Sequence, residues 1–240
     1  LYAITSRGEL TIDIYETLLK DFPKKSDLYY DLAELYSAQK EYDKALATLD
    51  EIEKVFGMTE SLAVYRFNLL RMTGRVEEAY ASLEEYNKKY SSPYILSTLA
   101  DNHISMYNDS TALAYYNEAL DIAPDFSPAL LGKAEVFRMT RRYEEYFDVL
   151  NVFVSSPESS TEGKCEYMMA VVERTEPRFV RTFIDQLDST MTRLLTLHPT
   201  DSLVLRTVGA YYYSTGRDDK AKTAFEANVN FNHKLYRPSL

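Results

Sequence analysis

Three histidines, one cysteine and two short polar runs are the residues in this 240-residue chain whose chemistry could reach beyond packing. His103, His198 and His233 are far apart in sequence, and none forms the paired-histidine spacing that lets one helix face grip a metal ion. Cys165 has no nearby histidine to act as its base and reads as a buried, inert thiol. Asp101-Asn102-His103 and Asn108-Asp109-Ser110 offer oxygen ligands, yet the alternating oxygens and glycine of a calcium loop are missing. The second run suits a helix start, where Asn, Asp and Ser accept hydrogen bonds from free N–H groups. No Gly-rich phosphate loop, nucleophile elbow or strand alternation occurs. These residue types therefore predict no catalytic residue, no metal site and no cofactor.

The elements that must position any functional side chain here are helices. Tyr29, Leu32, Ala33 and Tyr36 fall at i, i+3, i+4 and i+7, one apolar stripe of a 3.6-residue helix. Tyr42, Ala45, Leu46, Leu49 and Ile52 form a second stripe, and Gly57 follows it. Ala33 and Ala45 are small, which lets the two helices approach closely. The same rhythm of large, small and aromatic positions returns at Leu205, Val208, Gly209, Tyr212, Ala221 and Phe225. Segments between these two follow it with a period of about 34 residues, the mark of a repeat array.

This pattern resembles the tetratricopeptide repeat, and the resemblance covers nearly the whole chain. It implies an all-α fold, a right-handed superhelical solenoid of antiparallel helix pairs read as a single unit over residues 1–240. A partial repeat is expected at 1–25, with Tyr2 near the end of its first helix, Tyr15 and Leu18 facing inward and Pro23 closing it. Full repeats follow at 26–59, 60–92, 93–126 and 127–157, a degenerate one at 158–201 and a last one at 202–235. Leu1 then falls in mid-helix, and Tyr236 to Leu240, with Pro238, reads as an unfinished continuation, so the chain is expected to be part of a longer array.

Particular positions depart from the family's pattern. Arg66 stands where the family usually has Leu. Ser92-Pro93 and Ser127-Pro128 read as an N-cap followed by proline at the first helical position. Tyr146 occupies a position where the family prefers Ala, which predicts splayed helices, and Ser155 to Thr161 reads as an exposed loop. This region is expected to be the weakest junction. Beyond it, a first helix is expected at 163–173 and an unusually long second helix from Pro177 to just before Pro199, with Phe179, Phe183, Leu187, Met191, Leu194 and Leu195 as its buried stripe.

Charge and composition narrow the partner. A net charge of −10, with basic residues no better clustered than Lys24-Lys25, Lys88-Lys89 and Arg141-Arg142, argues against nucleic acid, which needs a cationic surplus to displace counterions. No stretch approaches the 18 apolar residues of a membrane span, so no direct membrane insertion is expected. One cysteine excludes an internal disulfide framework and leaves the compartment open. Homo-oligomerisation is compatible with the composition.

The family's fold implies a binding role carried by the concave face of the first helices. In order, that face presents Asp27, Tyr30, Asp31 and Glu34, then Tyr65, Asn68 and Arg71, then Ser97, Thr98 and Asp101, then Leu131, Glu135 and Arg138. Tyr30 and Tyr65 sit one position off the core stripe, where an exposed tyrosine offers apolar area and a hydroxyl at low entropic cost. The amino-terminal half is acidic and aromatic, and Arg138 and Arg206 make the later half less negative. Some family members clamp the terminal carboxylate of chaperone tails with Lys and Asn on first helices. Glu34 and Asp101 stand at such positions here, so carboxylate-tail binding is not expected. The reading is a non-catalytic scaffold that binds a protein or peptide partner through Tyr30, Asp31, Glu34, Tyr65, Asn68, Arg71, Thr98 and Asp101. Its alternative is a structural spacer or dimerisation segment of a larger enzyme or cell-envelope assembly.

Overall fold

The computed structural model describes the backbone of residues 2–174 and 176–235, and the side chains of 8–174 and 176–229. Among the described residues the chain is entirely helical, with fourteen helices and no strand. It divides into two compact units, the first ending at Leu99 and the second beginning at Ala100.

The first unit is built from α1 (Tyr2–Asp21), α2 (Ser26–Ala38), α3 (Tyr42–Phe56), α4 (Glu60–Met72), α5 (Val76–Tyr90) and the start of α6 (Pro93–Ser105). Pairs α2–α3 and α4–α5 are antiparallel hairpins packed along their length. The stripe predicted for α2 and α3 is the core: Leu32, Ala33, Tyr36, Ala45, Leu49 and Ile52 are all buried. Arg66 replaces apolar packing with ion pairs across the hairpins, to Asp50 at 2.9 Å and Glu53 at 2.8 Å. Ser92 does cap α6, accepting from the Ile95 N–H at 3.3 Å. One expectation fails here. Helix α1 runs unbroken through its twenty residues, so Tyr2 lies at the start of a continuous helix and no turn separates it from Tyr15. The expectation for Leu1 lies outside the described residues, as does that for Tyr236 to Leu240.

A recurrent turn closes the hairpins of both units. Lys40, Gly74, Tyr107, Arg141 and Gly216 all adopt positive φ, between 58° and 79°. The N–H of each following residue donates back to the carbonyl of Tyr36, Leu70, His103, Phe137 or Tyr212, the hydrogen-bond closure of a left-handed helix cap.

The second unit contains the rest of α6, then α7 (Asp109–Ile122), α8 (Ser127–Met139), α9 (Tyr143–Ser155), α10 (Thr161–Arg174), α11 (Pro177–Thr182), α12 (Ile184–Leu197), α13 (Ser202–Ser214) and α14 (Asp218–Leu235). Here, too, close approach depends on missing side chains. A Cβ on Gly132 would lie 2.3 Å from the Tyr116 ring, and one on Gly209 would lie 2.6 Å from the Phe225 ring.

Several expectations for this unit are corrected. Tyr146 does not splay its helices: it is fully buried, set edge-on to Phe147 at 5.0 Å and to Phe179 at 6.3 Å, and belongs to a core cluster that runs from Leu130 to Tyr211. The bulk that a neighbouring Ala would avoid is taken up by aromatic partners from α9 and α11. The segment after α9 is not simply exposed either. Ser156 and Ser159 are buried, Ser159 meets the Ser127 hydroxyl at 2.6 Å, and buried Lys164 donates from Nζ to the Ser156 carbonyl at 2.6 Å. Ser127 consequently lies inside α8 and provides no side-chain cap. The long helix from Pro177 is two helices, bent at Phe183 with φ −110° and ψ 30°. The Phe183 N–H closes the first helix onto the Phe179 carbonyl at 3.0 Å, and the Phe183 carbonyl opens the second by accepting from the Leu187 N–H at 2.9 Å. The bend brings the Phe183 ring to 4.6 Å from Tyr143 and 5.6 Å from Phe147.

Candidate functional site

Consecutive first helices α2 and α4 carry the centre of the candidate site. Burial of Leu32, Ala33 and Tyr36 on α2, and of Leu62, Ala63 and Phe67 on α4, fixes the rotation of each helix. Tyr30 and Tyr65, displaced from those stripes, are left half-buried and meet as a stacked pair, with centroids 6.4 Å apart and rings within 14° of parallel. Asp31, Glu34, Asn68 and Arg71 are exposed beside them.

The electrostatics favour a neutral aromatic platform with acidic flanks. Burial pushes the Tyr65 phenol above its ordinary value, and the Glu34 carboxylate adds to this while Ser37 opposes it. The Asp31 carboxylate accepts from the Tyr15 hydroxyl at 3.2 Å, a contact that raises the Tyr15 phenol and orients Asp31. Tyr15 is a residue of this site that its helical register alone assigned to the core. Arg71 lies over the Phe67 ring at 5.5 Å, so part of its charge is directed back onto its own helix.

Other expected members are placed differently. Ser97 is buried and donates to the Pro93 carbonyl, so it offers no surface to a partner. Thr98, half-buried, donates to the Tyr94 carbonyl at 2.9 Å. Asp101 belongs to the second unit, where its carboxylate accepts the Tyr116 hydroxyl and ties α6 to α7. Glu135 and Arg138 pair with each other.

Asn108 and His103 are absorbed into structure. Asn108 accepts from the Thr111 hydroxyl at 3.0 Å and makes no backbone cap. His103 stacks on Tyr115, with centroids 5.4 Å apart. Cys165 is buried, and that burial pushes its thiol up, away from the reactive thiolate. The side chain of His233 is not described. Among the described residues no group of three or more His, Cys, Asp or Glu is placed to hold a metal ion, and no helix is long and apolar enough to cross a membrane.

A stack of two-helix hairpins with aromatic and charged residues on its first helices defines a class of helical-repeat proteins. Residues 8–60 match the tetratricopeptide repeat family, and the chain has the fold of tetratricopeptide repeat proteins. The C-terminal part of a repeat-containing protein from Cytophaga hutchinsonii aligns over 95% of this chain and 91% of its own, at 11% identity and a TM-score of 0.55. The pilF protein of Pseudomonas aeruginosa aligns over 85% of this chain and 90% of its own, at 17% identity and a TM-score of 0.52. No curated protein matches the sequence.

Proposed function

We propose that the chain is a non-catalytic protein-interaction scaffold whose α2–α4 face takes an extended peptide or partner helix carrying Lys or Arg beside an apolar side chain. The observation that carries this reading is the stacked Tyr30–Tyr65 pair, two half-exposed rings on the same helices as the exposed carboxylates of Asp31 and Glu34 and the exposed Asn68 and Arg71. Such rings accept an apolar anchor or a cation, and rigid aromatic anchors dominate binding energy at protein interfaces. Asp31, oriented by Tyr15, and Glu34 supply charge complementarity, which sets specificity and association rate. Asn68 and Arg71 extend the same face along α4. Of the residues expected on α6, Thr98 belongs to the same unit and donates to the Tyr94 carbonyl, while Asp101 accepts from Tyr116 in the second unit.

The test uses a fluorescent peptide that alternates lysine and leucine, titrated against the wild-type chain and Asp31→Lys/Glu34→Lys. Both positions are exposed, so stability should change by only about 0.5 kcal/mol per site. Peptide affinity should fall at least tenfold, equivalent to about 1.4 kcal/mol, and wild-type affinity should weaken with added salt. Affinity indifferent to both changes would reject the α2–α4 face and favour a spacer or dimerisation role.

A further inference from the structure

In the second unit a cavity of about 660 Å³ opens beside the turn between α8 and α9, next to the end of α10 and the start of α11. Its wall brings together Arg138, Arg141, Arg174 and Arg178, and Glu176 is the single carboxylate lining it. Arg138 forks onto Glu135. Arg141, Arg174 and Arg178 are exposed and form no ion pair among the described residues. Three unneutralised guanidiniums converging on one cavity repel one another, and that repulsion is relieved when an anion enters.

The floor is aromatic. Tyr143, Phe179 and Phe183, all half-buried, lie within 5.4 Å of one another by ring centroid and open onto the same cavity. The two phenylalanines also pack against buried Phe147, and Phe179 against buried Tyr146, which anchors them to the core.

We propose that this cavity is a second binding site, for an acidic segment of a partner protein in which two or more carboxylates flank an apolar side chain. Guanidinium forks match carboxylates in bidentate geometry, and the half-buried rings receive the apolar side chain. The volume is in the range of pockets that enclose drug-sized ligands, much larger than a single inorganic anion fills. Nucleic acid is the poorer fit, because a phosphate backbone needs an extended cationic track, whereas these arginines end at one cavity on a chain of net charge −10. The site takes the opposite charge from the α2–α4 face and stands independently of it.

A labelled pentapeptide of four glutamates around one phenylalanine is the probe, with a counterpart in which glutamines replace the glutamates. Binding is read by fluorescence anisotropy to the wild-type chain, to Arg141→Glu/Arg178→Glu, and to Arg193→Glu/Arg206→Glu, which makes the same charge change at exposed arginines that do not line the cavity. The glutamate peptide should bind at least tenfold more tightly than the glutamine peptide. The cavity pair should lose at least tenfold in affinity and the control pair less than threefold. Asp31→Lys/Glu34→Lys should leave this binding in place. Arg141→Gln/Arg178→Gln, a milder change with the same expected direction, serves if charge reversal disturbs folding. Equal binding of the two peptides, wild-type affinity in the cavity pair, or equal losses in the cavity and control pairs would overturn the proposal.

Discussion

Two buried tyrosines in the second unit separate the value of a hydroxyl from that of a ring. Tyr116 and Tyr146 are both fully buried, yet the Tyr116 hydroxyl donates to the Asp101 carboxylate, whereas the Tyr146 hydroxyl, with Tyr167 as its nearest polar neighbour, makes no hydrogen bond of ordinary geometry. A hydrogen bond to a charged group contributes about 1.5–3 kcal/mol. Asp101 is exposed and regains water when its partner is removed, so Tyr116→Phe should fall at the low end, costing about 1.5 kcal/mol. Tyr146→Phe removes a buried polar atom that has no partner, which relieves part of a desolvation penalty of about 1–3 kcal/mol. It should be neutral or stabilising by up to about 1 kcal/mol. Truncating the ring is a different perturbation: Tyr146→Ala should cost about 3–5 kcal/mol through lost transfer energy and a residual cavity.

Repeat arrays need not unfold in one step, so global melting alone is an ambiguous readout. Native-state hydrogen exchange at α7 amides for the Tyr116 variant and at α9 amides for the Tyr146 variants reports the local free energy directly. In thermal terms, the difference of about 2 kcal/mol between the two Phe variants corresponds to roughly 4–8 °C for a chain of this size. Equal losses in Tyr116→Phe and Tyr146→Phe would refute the reasoning, because they would show that the Tyr146 hydroxyl is satisfied in the fold.

Two more outcomes follow from the same core. Burial holds the phenols of Tyr116, Tyr146 and Tyr211 well above their ordinary value of 10.0, so below pH 10 both folded and unfolded states keep these protons and their contribution is fully present. Above pH 10 the unfolded chain releases protons that the folded chain retains, and stability should fall by about 1.4 kcal/mol per pH unit per tyrosine. Denaturation followed by circular dichroism across pH 8–12 checks this, and constant stability up to pH 12 would contradict it. Gly132→Ala should be destabilising by about 1–3 kcal/mol through overpacking against the fixed Tyr116 ring, outweighing the gain of about 1 kcal/mol in helix propensity. A stabilised variant in urea denaturation would show that the ring can move aside.

The hairpins were legible because their information is local. Ala33, Ala45 and Gly209 mark where helices touch, and a 3.6-residue stripe fixes which face is inward. The turns were only partly legible. Gly74 and Gly216 signal a left-handed residue, but Lys40, Tyr107 and Arg141 adopt the same conformation without any residue preference to announce it. The bend at Phe183 and the burial of Tyr146 depend on aromatic partners from other helices, so neither the family's preference for Ala at that position nor the continuous apolar stripe after Pro177 could reveal them. At the candidate site, register alone predicted exposure for Asp31, Glu34, Asn68 and Arg71, as observed. It gave no warning that Tyr15 reaches Asp31 or that Tyr116 claims Asp101, contacts 16 and 15 residues apart in the chain.

Net charge misleads for a related reason. The total of −10 was sufficient to argue against an extended phosphate track, but a ligand in a cavity responds to charges within about 8–10 Å, the screening length at physiological salt. At that scale the balance at the cavity is reversed: Arg138 is matched by Glu135, and three further guanidiniums share its wall with Glu176, on segments of the chain about 40 residues apart that share no local motif. The first unit keeps the polarity of the whole chain, with Asp31 and Glu34 beside stacked tyrosines. The two proposed surfaces would select partners by opposite rules, so the sign of the salt effect cannot separate them. Added salt weakens binding at each, and only charge reversal confined to one site tells them apart.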